Sequence, residues 1–161
     1  QKIYLLNQWL DGFRGTVFRQ TMFAEFEHMI HELDAKGESI TSEKLTSIYY
    51  DLNKQYFGDT MTVDEEIGLE WARIPHFYYN YYVYQYATSF AASFKLYKDV
   101  QENVPGAFDN YTSLLKSGGS KYPVDQAKEA GVDFLKKDAF MAVVDRMNEL
   151  VGKLEELLKN K

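Results

Sequence analysis

The chain has 161 residues, a net charge of −6 and no cysteine, which excludes disulfides, thiolate metal sites and cysteine nucleophiles. The negative charge, without any basic cluster, argues against binding to nucleic acid or to an anionic membrane surface. No stretch approaches the ~18 apolar residues that a membrane span requires. The absence of a signal-peptide pattern makes a cytoplasmic protein the simplest prediction, although the chain begins at Gln1 and a targeting segment could precede it.

The first part of the chain predicts two helices. Apolar residues at near-helical spacing indicate a helix over about 2–36, which ends before Gly37. Thr41 is a good N-cap for a second helix, and Gly58 is its expected C-terminal stop. Both helices carry an apolar face suited to packing.

The middle of the chain predicts a short helix and then a long aromatic one. Thr62 and Glu65 have the spacing of a capping box, which should open the short helix. Pro75 interrupts the chain, because the residue before a proline is disfavoured in helical geometry. A long aromatic helix over about 76–102 is expected to follow.

The C-terminal part predicts three more helices. One lies near 107–116, and Ser117 to Ser120 form a loop before a short helix that begins at Pro123 and stops near Gly131. The last helix, about 138–159, has the clearest apolar stripe. Its members are Phe140, Val143, Met147, Leu150, Val151, Leu154 and Leu158. No sustained strand-like alternation and no linker occurs, so the sequence predicts an all-α fold that forms one helical region over 1–161.

The stretch from Pro75 to Phe90 is the most unusual, because its helix would carry aromatic residues on every face. His76, Tyr79, Tyr82 or Val83, and Tyr86 follow one another at steps of three or four residues and would share one face. A histidine and several phenols on one face could converge on a developing oxyanion. The alternative is an aromatic core helix whose tyrosine hydroxyls bind backbone carbonyls or water.

Four blocks in the same order resemble oligoendopeptidase F, of the thimet oligopeptidase-like zinc metallopeptidases. They are Phe13 to Glu27, Asp64 to Asn80, Val83 to Thr88, and Ser117 to Pro123 with Lys128 to Asp133. The resemblance covers nearly the whole chain. It implies the multi-helical C-terminal portion of a zincin-type peptidase catalytic domain.

In the family that the chain resembles, zinc is held by a His-Glu-x-x-His helix and by a glutamate on a following helix. No His-Glu-x-x-His occurs here, and His28 and His31 are three residues apart instead of four. The resemblance therefore implies a C-terminal fragment that begins after the third zinc ligand. Zinc is expected in the full-length enzyme, and none is expected to be bound by this chain.

The resemblance assigns the substrate-facing roles to the aromatic segment. His76 matches the family's substrate-binding histidine by its Ile-Pro-His setting, and Tyr86 matches the last important tyrosine. Tyr79 is the third residue expected to take part in catalysis. Tyr82 and Tyr84 are expected to contact the substrate.

The implied function is zinc-dependent endopeptidase activity on short oligopeptides. The partners expected from it are short peptides and the missing N-terminal part of the same polypeptide. By itself the chain is expected to be inactive and prone to self-association, because its aromatic surface would lack its cover.

Two other functions remain open at this point. One is a helical interaction module without activity of its own. The other is a di-metal carboxylate bundle, suggested by the Glu-x-x-His spacing of Glu25 and His28, although such a bundle needs the motif twice.

Overall fold

The computed structural model describes residues 1–159, and this part of the chain is helical without any strand. The prediction of an all-α fold is therefore confirmed. The α-helices are α1 (Lys2–Phe13), α2 (Arg19–Ala35), α3 (Ser42–Phe57), α4 (Tyr84–Gln101), α5 (Ala107–Ser117), α6 (Pro123–Glu129) and α7 (Asp138–Lys159). No helix within 1–159 is long and apolar enough to cross a membrane.

Helix ends that depend on local chemistry lie where the sequence predicts them. The Thr41 hydroxyl accepts the Lys44 backbone N–H at 3.3 Å, which caps α3. Gly58 ends α3 with φ of 69° and ψ of −178°, a conformation that is essentially restricted to glycine. Pro123 occupies the first turn of α6, where its missing N–H costs nothing.

The predicted single helix over 2–36 is wrong between α1 and α2. Residues Arg14–Phe18 form a π-helical turn that separates the two α-helices. Gly15 has a poor helix propensity, and Thr16 and Val17 are β-branched, so this stretch favours regular α-helix least. The wider turn keeps the chain helical from α1 to α2.

The capping box predicted at Thr62 is also wrong, because Glu65–Arg73 forms a 3₁₀-helix and Asp64 makes no side-chain cap. This segment packs along α3. A Cβ atom on Gly68 would lie 2.9 Å from Cγ2 of Thr46 and 3.2 Å from its carbonyl oxygen. The 3₁₀-helix Glu65–Arg73 therefore lies so close to α3 at Gly68 that a larger residue would not fit there without a shift.

Gly68→Ala should lower the free energy of unfolding by about 1–3 kcal/mol, because the added methyl group would crowd the side chain and the carbonyl oxygen of Thr46 in α3. Gly15→Ala is the matched control, since nothing lies within 4 Å of the Cβ atom that it adds. Urea unfolding followed by Trp71 fluorescence, in a Trp9→Phe background, measures the effect. Equal stability of the two variants would contradict the proposed close packing.

The long aromatic helix predicted over 76–102 is wrong in its first part. Pro75–Tyr78 is a short 3₁₀-helix, and α4 begins only at Tyr84. Between them Asn80 and Tyr81 have φ of 51° and 58°, which Asn tolerates better than most residues and which is unfavourable for Tyr81. A turn therefore replaces the first two turns of the expected helix.

The stripe predicted on α7 is correct in its middle and wrong at its ends. Val143 and Leu150 are buried, whereas Phe140 and Leu158 are exposed. Ala139 and Ala142 complete the buried face. The buried face of α7 therefore combines these two alanines with Val143 and Leu150.

The described chain forms two compact units. One consists of residues 1–13 together with the described residues from Thr88 onward, and the other is Arg14–Ala87. In the first unit α1 packs against α7, and the Phe13 ring lies 5.2 Å from Phe90 and 5.0 Å from Phe94. The single helical region expected over 1–161 stays a prediction.

The core of the unit Arg14–Ala87 lies between α2, α3 and the segment that contains the two 3₁₀-helices. Its fully packed members are Met22, Phe23, Phe26, Tyr49, Leu52, Ile74 and Val83. Phe26 meets Tyr49 edge-on at 5.1 Å. This core holds residues 75–82 at both ends, because the flanking residues Ile74 and Val83 belong to it.

Candidate substrate-binding site

Three tyrosine side chains of the unit Arg14–Ala87 gather around one imidazole, that of His76. The His76 ring stacks on Tyr82 with centroids 5.7 Å apart and meets Tyr79 and Tyr86 edge-on at 5.8 and 5.9 Å. Tyr82 also meets Tyr79 and Tyr86, at 6.0 and 5.7 Å. We call His76, Tyr79, Tyr82 and Tyr86 the His–Tyr cluster.

The cluster is not formed on a single helix face. The turn at Asn80–Tyr81 separates the 3₁₀-helix of His76 from α4, and Tyr82 and Tyr86, which follow the turn, contact the His76 ring. The Tyr86 hydroxyl then lies 3.3 Å from Nε2 of His76, within hydrogen-bond distance. The prediction that these residues converge agrees with the structure, whereas the helical reason given for it does not.

Apolar side chains within and beside residues 75–82 pack against the core of the unit. Phe77 packs against Phe23 at 5.5 Å and Phe26 at 5.1 Å, and Ile74 and Val83 are buried on either side of it. Apolar residues of the segment therefore face the core, while His76 and its tyrosines lie at the surface.

The tyrosines of the cluster are accessible to a ligand. Tyr79, Tyr82 and Tyr86 are 60%, 39% and 37% exposed, so within the described residues they do not form part of an apolar core. A hydrogen bond with Tyr82, and then desolvation, raises the pKa of Tyr86 above its usual value of 10.0. The Tyr86 hydroxyl therefore stays protonated at neutral pH and can donate a hydrogen bond to an oxyanion.

Tyr84 is separated from this arrangement. It begins α4 and is exposed, two residues before Tyr86. Two residues on an α-helix project about 200° apart, so Tyr84 points away from Tyr86. Its predicted contact with substrate stays a prediction.

The sequence interpretation did not include two residues of α2 that contact the turn. The Glu27 carboxylate accepts the Tyr81 backbone N–H at 2.6 Å, and the His31 ring stacks on the Tyr81 ring at 4.5 Å. Glu27 and His31 are four residues apart, which places both on one face of α2. The four-residue spacing could have indicated that Glu27 and His31 act together. It could not have identified Tyr81 as their partner, because Tyr81 lies 54 residues after Glu27.

A second set of polar contacts holds the segment that leads to His76. Glu70 accepts hydrogen bonds from Arg19 at 2.5 Å, from the buried Tyr49 hydroxyl at 2.7 Å, and from Arg73. We call these four residues the Glu70 network. It links α2 and α3 to the 3₁₀-helix that ends three residues before His76.

Competing effects set the protonation of the network. Burial raises the pKa of Glu70, but the hydrogen bonds from Tyr49 and Arg19 and the charges of Arg19 and Arg73 outweigh burial. The net pKa therefore lies below its usual value of 4.5. Burial first, and then the bond to Glu70, raises the pKa of Tyr49, so the pair stays phenol and carboxylate at neutral pH.

The described residues do not fit a zinc site. No group of three or more His, Cys, Asp or Glu side chains within 1–159 is placed to hold a metal ion. His28 lies at the surface 3.6 Å from Glu32, His31 stacks on Tyr81, and His76 belongs to the His–Tyr cluster. The Glu-x-x-His spacing of Glu25 and His28 therefore does not build a metal centre here, since Glu25 instead accepts the Tyr56 hydroxyl at 2.8 Å.

The model of peptidase family M3 matches residues 1–145 of this chain. The chain belongs to peptidase family M3. This finding and the named relatives confirm the resemblance to oligoendopeptidase F.

Two curated relatives show how close the similarity is. Oligopeptidase PepF of Bacillus subtilis (strain 168) is 55% identical over 158 residues, which cover 98% of this chain and 24% of the relative. The chromosomal oligoendopeptidase F of Lactococcus lactis subsp. cremoris is 51% identical over 161 residues, which cover 97% of this chain and 27% of the relative. The chain thus spans about a quarter of the length of these relatives.

Two solved structures have the same fold over nearly the whole chain. Oligoendopeptidase F from Enterococcus faecium superimposes with a TM-score of 0.96 at 48% identity, covering 99% of this chain and 31% of that one. A peptidase structure from Chlamydophila abortus gives 0.90 at 38% identity, covering 97% and 26%. The helical architecture is therefore that of the family.

Proposed function

We propose that this chain is part of a longer zinc-dependent endopeptidase that hydrolyses short oligopeptides, and that it supplies one wall of the substrate cleft. The observation that carries the proposal is the His–Tyr cluster, an accessible group of hydrogen-bond donors around one imidazole. Membership of peptidase family M3 supports the reaction class.

The cluster is suited to binding a peptide carbonyl and the oxyanion that develops from it. The phenol hydroxyls of Tyr86 and Tyr79 and the imidazole of His76 can donate hydrogen bonds, which count for most where negative charge develops in the transition state. Tyr82 stacks on His76 and limits its orientation. Tyr82 and Tyr84 are proposed to contact the peptide itself.

The metal and its ligands are proposed to lie in the rest of the longer polypeptide, because the described residues do not fit a zinc site. The partners of this chain are then short peptides and the remaining polypeptide, and its location is proposed to be cytoplasmic. On this proposal the chain alone hydrolyses nothing.

Hydrolysis assays on the longer polypeptide and on this chain test the proposal. We expect the longer polypeptide to cleave short peptides but not folded proteins, and to lose activity with 1,10-phenanthroline and regain it with Zn²⁺. This chain alone should be inactive and hold no stoichiometric zinc. Activity that survives complete metal removal would overturn zinc dependence, and an inactive longer polypeptide would favour the interaction module.

A further inference from the structure

We propose that Glu27 and His31 are positioning residues, which clamp Tyr81 and so hold the His–Tyr cluster in its reactive geometry. The inference rests on the proposed function, because it concerns how the same site is held. It goes beyond that function by assigning a role to two residues that lie on another helix and do not belong to the cluster.

The first step is that the turn needs an external restraint. Asn80 and Tyr81 are consecutive non-glycine residues with positive φ, and such strain persists only where the surrounding structure fixes it. Asn80 is of a residue type that tolerates positive φ, but Tyr81 is not, and glycine occurs at neither position of the turn. Its conformation must be stabilised by contacts from elsewhere in the unit.

The second step is that Glu27 supplies a strong contact of this kind. Glu27 is buried, with only 1% of its surface exposed, and its Oε1 atom accepts the Tyr81 N–H at 2.6 Å. A carboxylate that accepts a backbone N–H makes a charge-assisted bond, which is stronger than a neutral one. Phe26, the residue before Glu27, is packed in the core, and this packing fixes the position of the Glu27 backbone.

The third step is that His31 restrains the same residue by a different contact. Its ring stacks on the Tyr81 ring with an interplanar angle of 27°. Two residues one turn apart on α2 therefore hold Tyr81. Glu27 binds the Tyr81 backbone, and His31 contacts the Tyr81 side chain. Neither contact involves an atom of the His–Tyr cluster, so both act only through the turn.

The consequence concerns catalysis. Tyr82 follows Tyr81 directly, and its stacking on His76 depends on where the turn directs the chain. A displacement of about 1 Å in a catalytic group can cost about 10²-fold in rate. Loss of the clamp should therefore lower kcat more than it raises KM.

Kinetics of the longer polypeptide provide the first test. Glu27→Leu removes the hydrogen-bond acceptor and replaces it with an apolar side chain of similar size. We expect kcat to fall about 10-fold or more, with KM changed less than about 2-fold. Glu27→Gln keeps an acceptor oxygen and should recover most of the rate. Glu25→Leu is the matched control, because Glu25 lies two residues away and binds Tyr56 instead.

Crystal structures of the wild-type and variant proteins provide a second test that does not depend on activity. In Glu27→Leu the distance between Nε2 of His76 and the Tyr86 hydroxyl should exceed its present 3.3 Å, and Tyr82 should leave the His76 ring. An unchanged cluster in folded Glu27→Leu would overturn the inference. If the wild-type longer polypeptide cleaves no peptide, the proposed function fails, while the structures still decide whether the clamp exists.

His31→Ala keeps the test decisive if Glu27→Leu does not fold. This variant removes only the stacked ring from a partly exposed position, so the fold should be retained. We expect kcat to fall about 3-fold and the Tyr81 ring to move. A wild-type kcat together with an unmoved Tyr81 would overturn the role of His31.

Discussion

Tyr86→Phe in the longer polypeptide should lower kcat for peptide hydrolysis by about 10²–10³-fold, the usual cost of one oxyanion donor. The substitution removes only the hydroxyl, which lies 3.3 Å from Nε2 of His76. The ring contacts with His76 and Tyr82 remain. Stability should therefore change little, and the loss should appear in kcat with zinc still bound, as single-turnover kinetics and metal analysis would show.

His76→Ala should lower kcat by a similar factor, because it removes the imidazole around which the cluster forms. The two residues share a hydrogen bond, so their effects should not be additive. We expect the double variant to lose less activity than the product of the single losses. Additive losses would mean that the two side chains act separately.

Tyr78→Phe is the control for both variants. Tyr78 lies in the same 3₁₀-helix as His76 but is outside the His–Tyr cluster. Its kcat should stay close to that of the wild type. Unchanged kcat in both Tyr86→Phe and His76→Ala would contradict the assignment of these residues to the oxyanion side.

The sequence predicts the parts of this fold that depend on neighbouring residues. The Thr41 cap, the Gly58 stop and the Pro123 start each act within one helical turn, so the residue type alone indicates the structure. Four of the five predicted site residues also lie together in the His–Tyr cluster, and Tyr84 lies outside it. Their spacing predicted a shared face on an α-helix, whereas residues 75–78 form a 3₁₀-helix and a turn follows, so the structure brings these residues together in another way.

Contacts between residues far apart in the chain explain what the sequence did not predict. Positive φ at Tyr81 has no local signature, since a tyrosine rarely adopts it, although Asn80 beside it is of a type that does. The bond between Glu27 and Tyr81 joins residues 54 positions apart, and that between Arg19 and Glu70 joins residues 51 positions apart. Each depends on how α2 packs, which apolar spacing does not specify.

Glu70→Ala should lower the free energy of unfolding of the unit Arg14–Ala87 by about 2–3 kcal/mol. Removing one partner of a buried ion pair typically costs about 3–5 kcal/mol. The expected cost is smaller here because the side chains of Arg19 and Arg73 are 29% and 70% exposed and can be solvated. Most of the cost should come from the buried Tyr49 hydroxyl, which would lose its acceptor.

The same network predicts how stability depends on pH. The pKa of Glu70 in the folded chain lies below its usual value of 4.5, so the folded state favours the carboxylate more than the unfolded state does. The stabilisation is therefore present above the unfolded pKa and is lost as the pH falls through the folded one. The difference in stability between the wild type and Glu70→Ala should shrink steadily as the pH is lowered below about 4.5.

Urea unfolding of this chain followed by Trp71 fluorescence, with Trp9→Phe in both proteins, measures that difference. Trp71 neighbours Glu70 and bonds to Thr46 at 3.3 Å, so its signal reports the unit that contains the network. Glu66→Ala is the control, because Glu66 is an exposed carboxylate on the same 3₁₀-helix. If Glu66→Ala and Glu70→Ala lost equal stability at neutral pH, the network would not be what holds the 3₁₀-helix on α3. The segment that carries His76 would then depend on apolar packing alone.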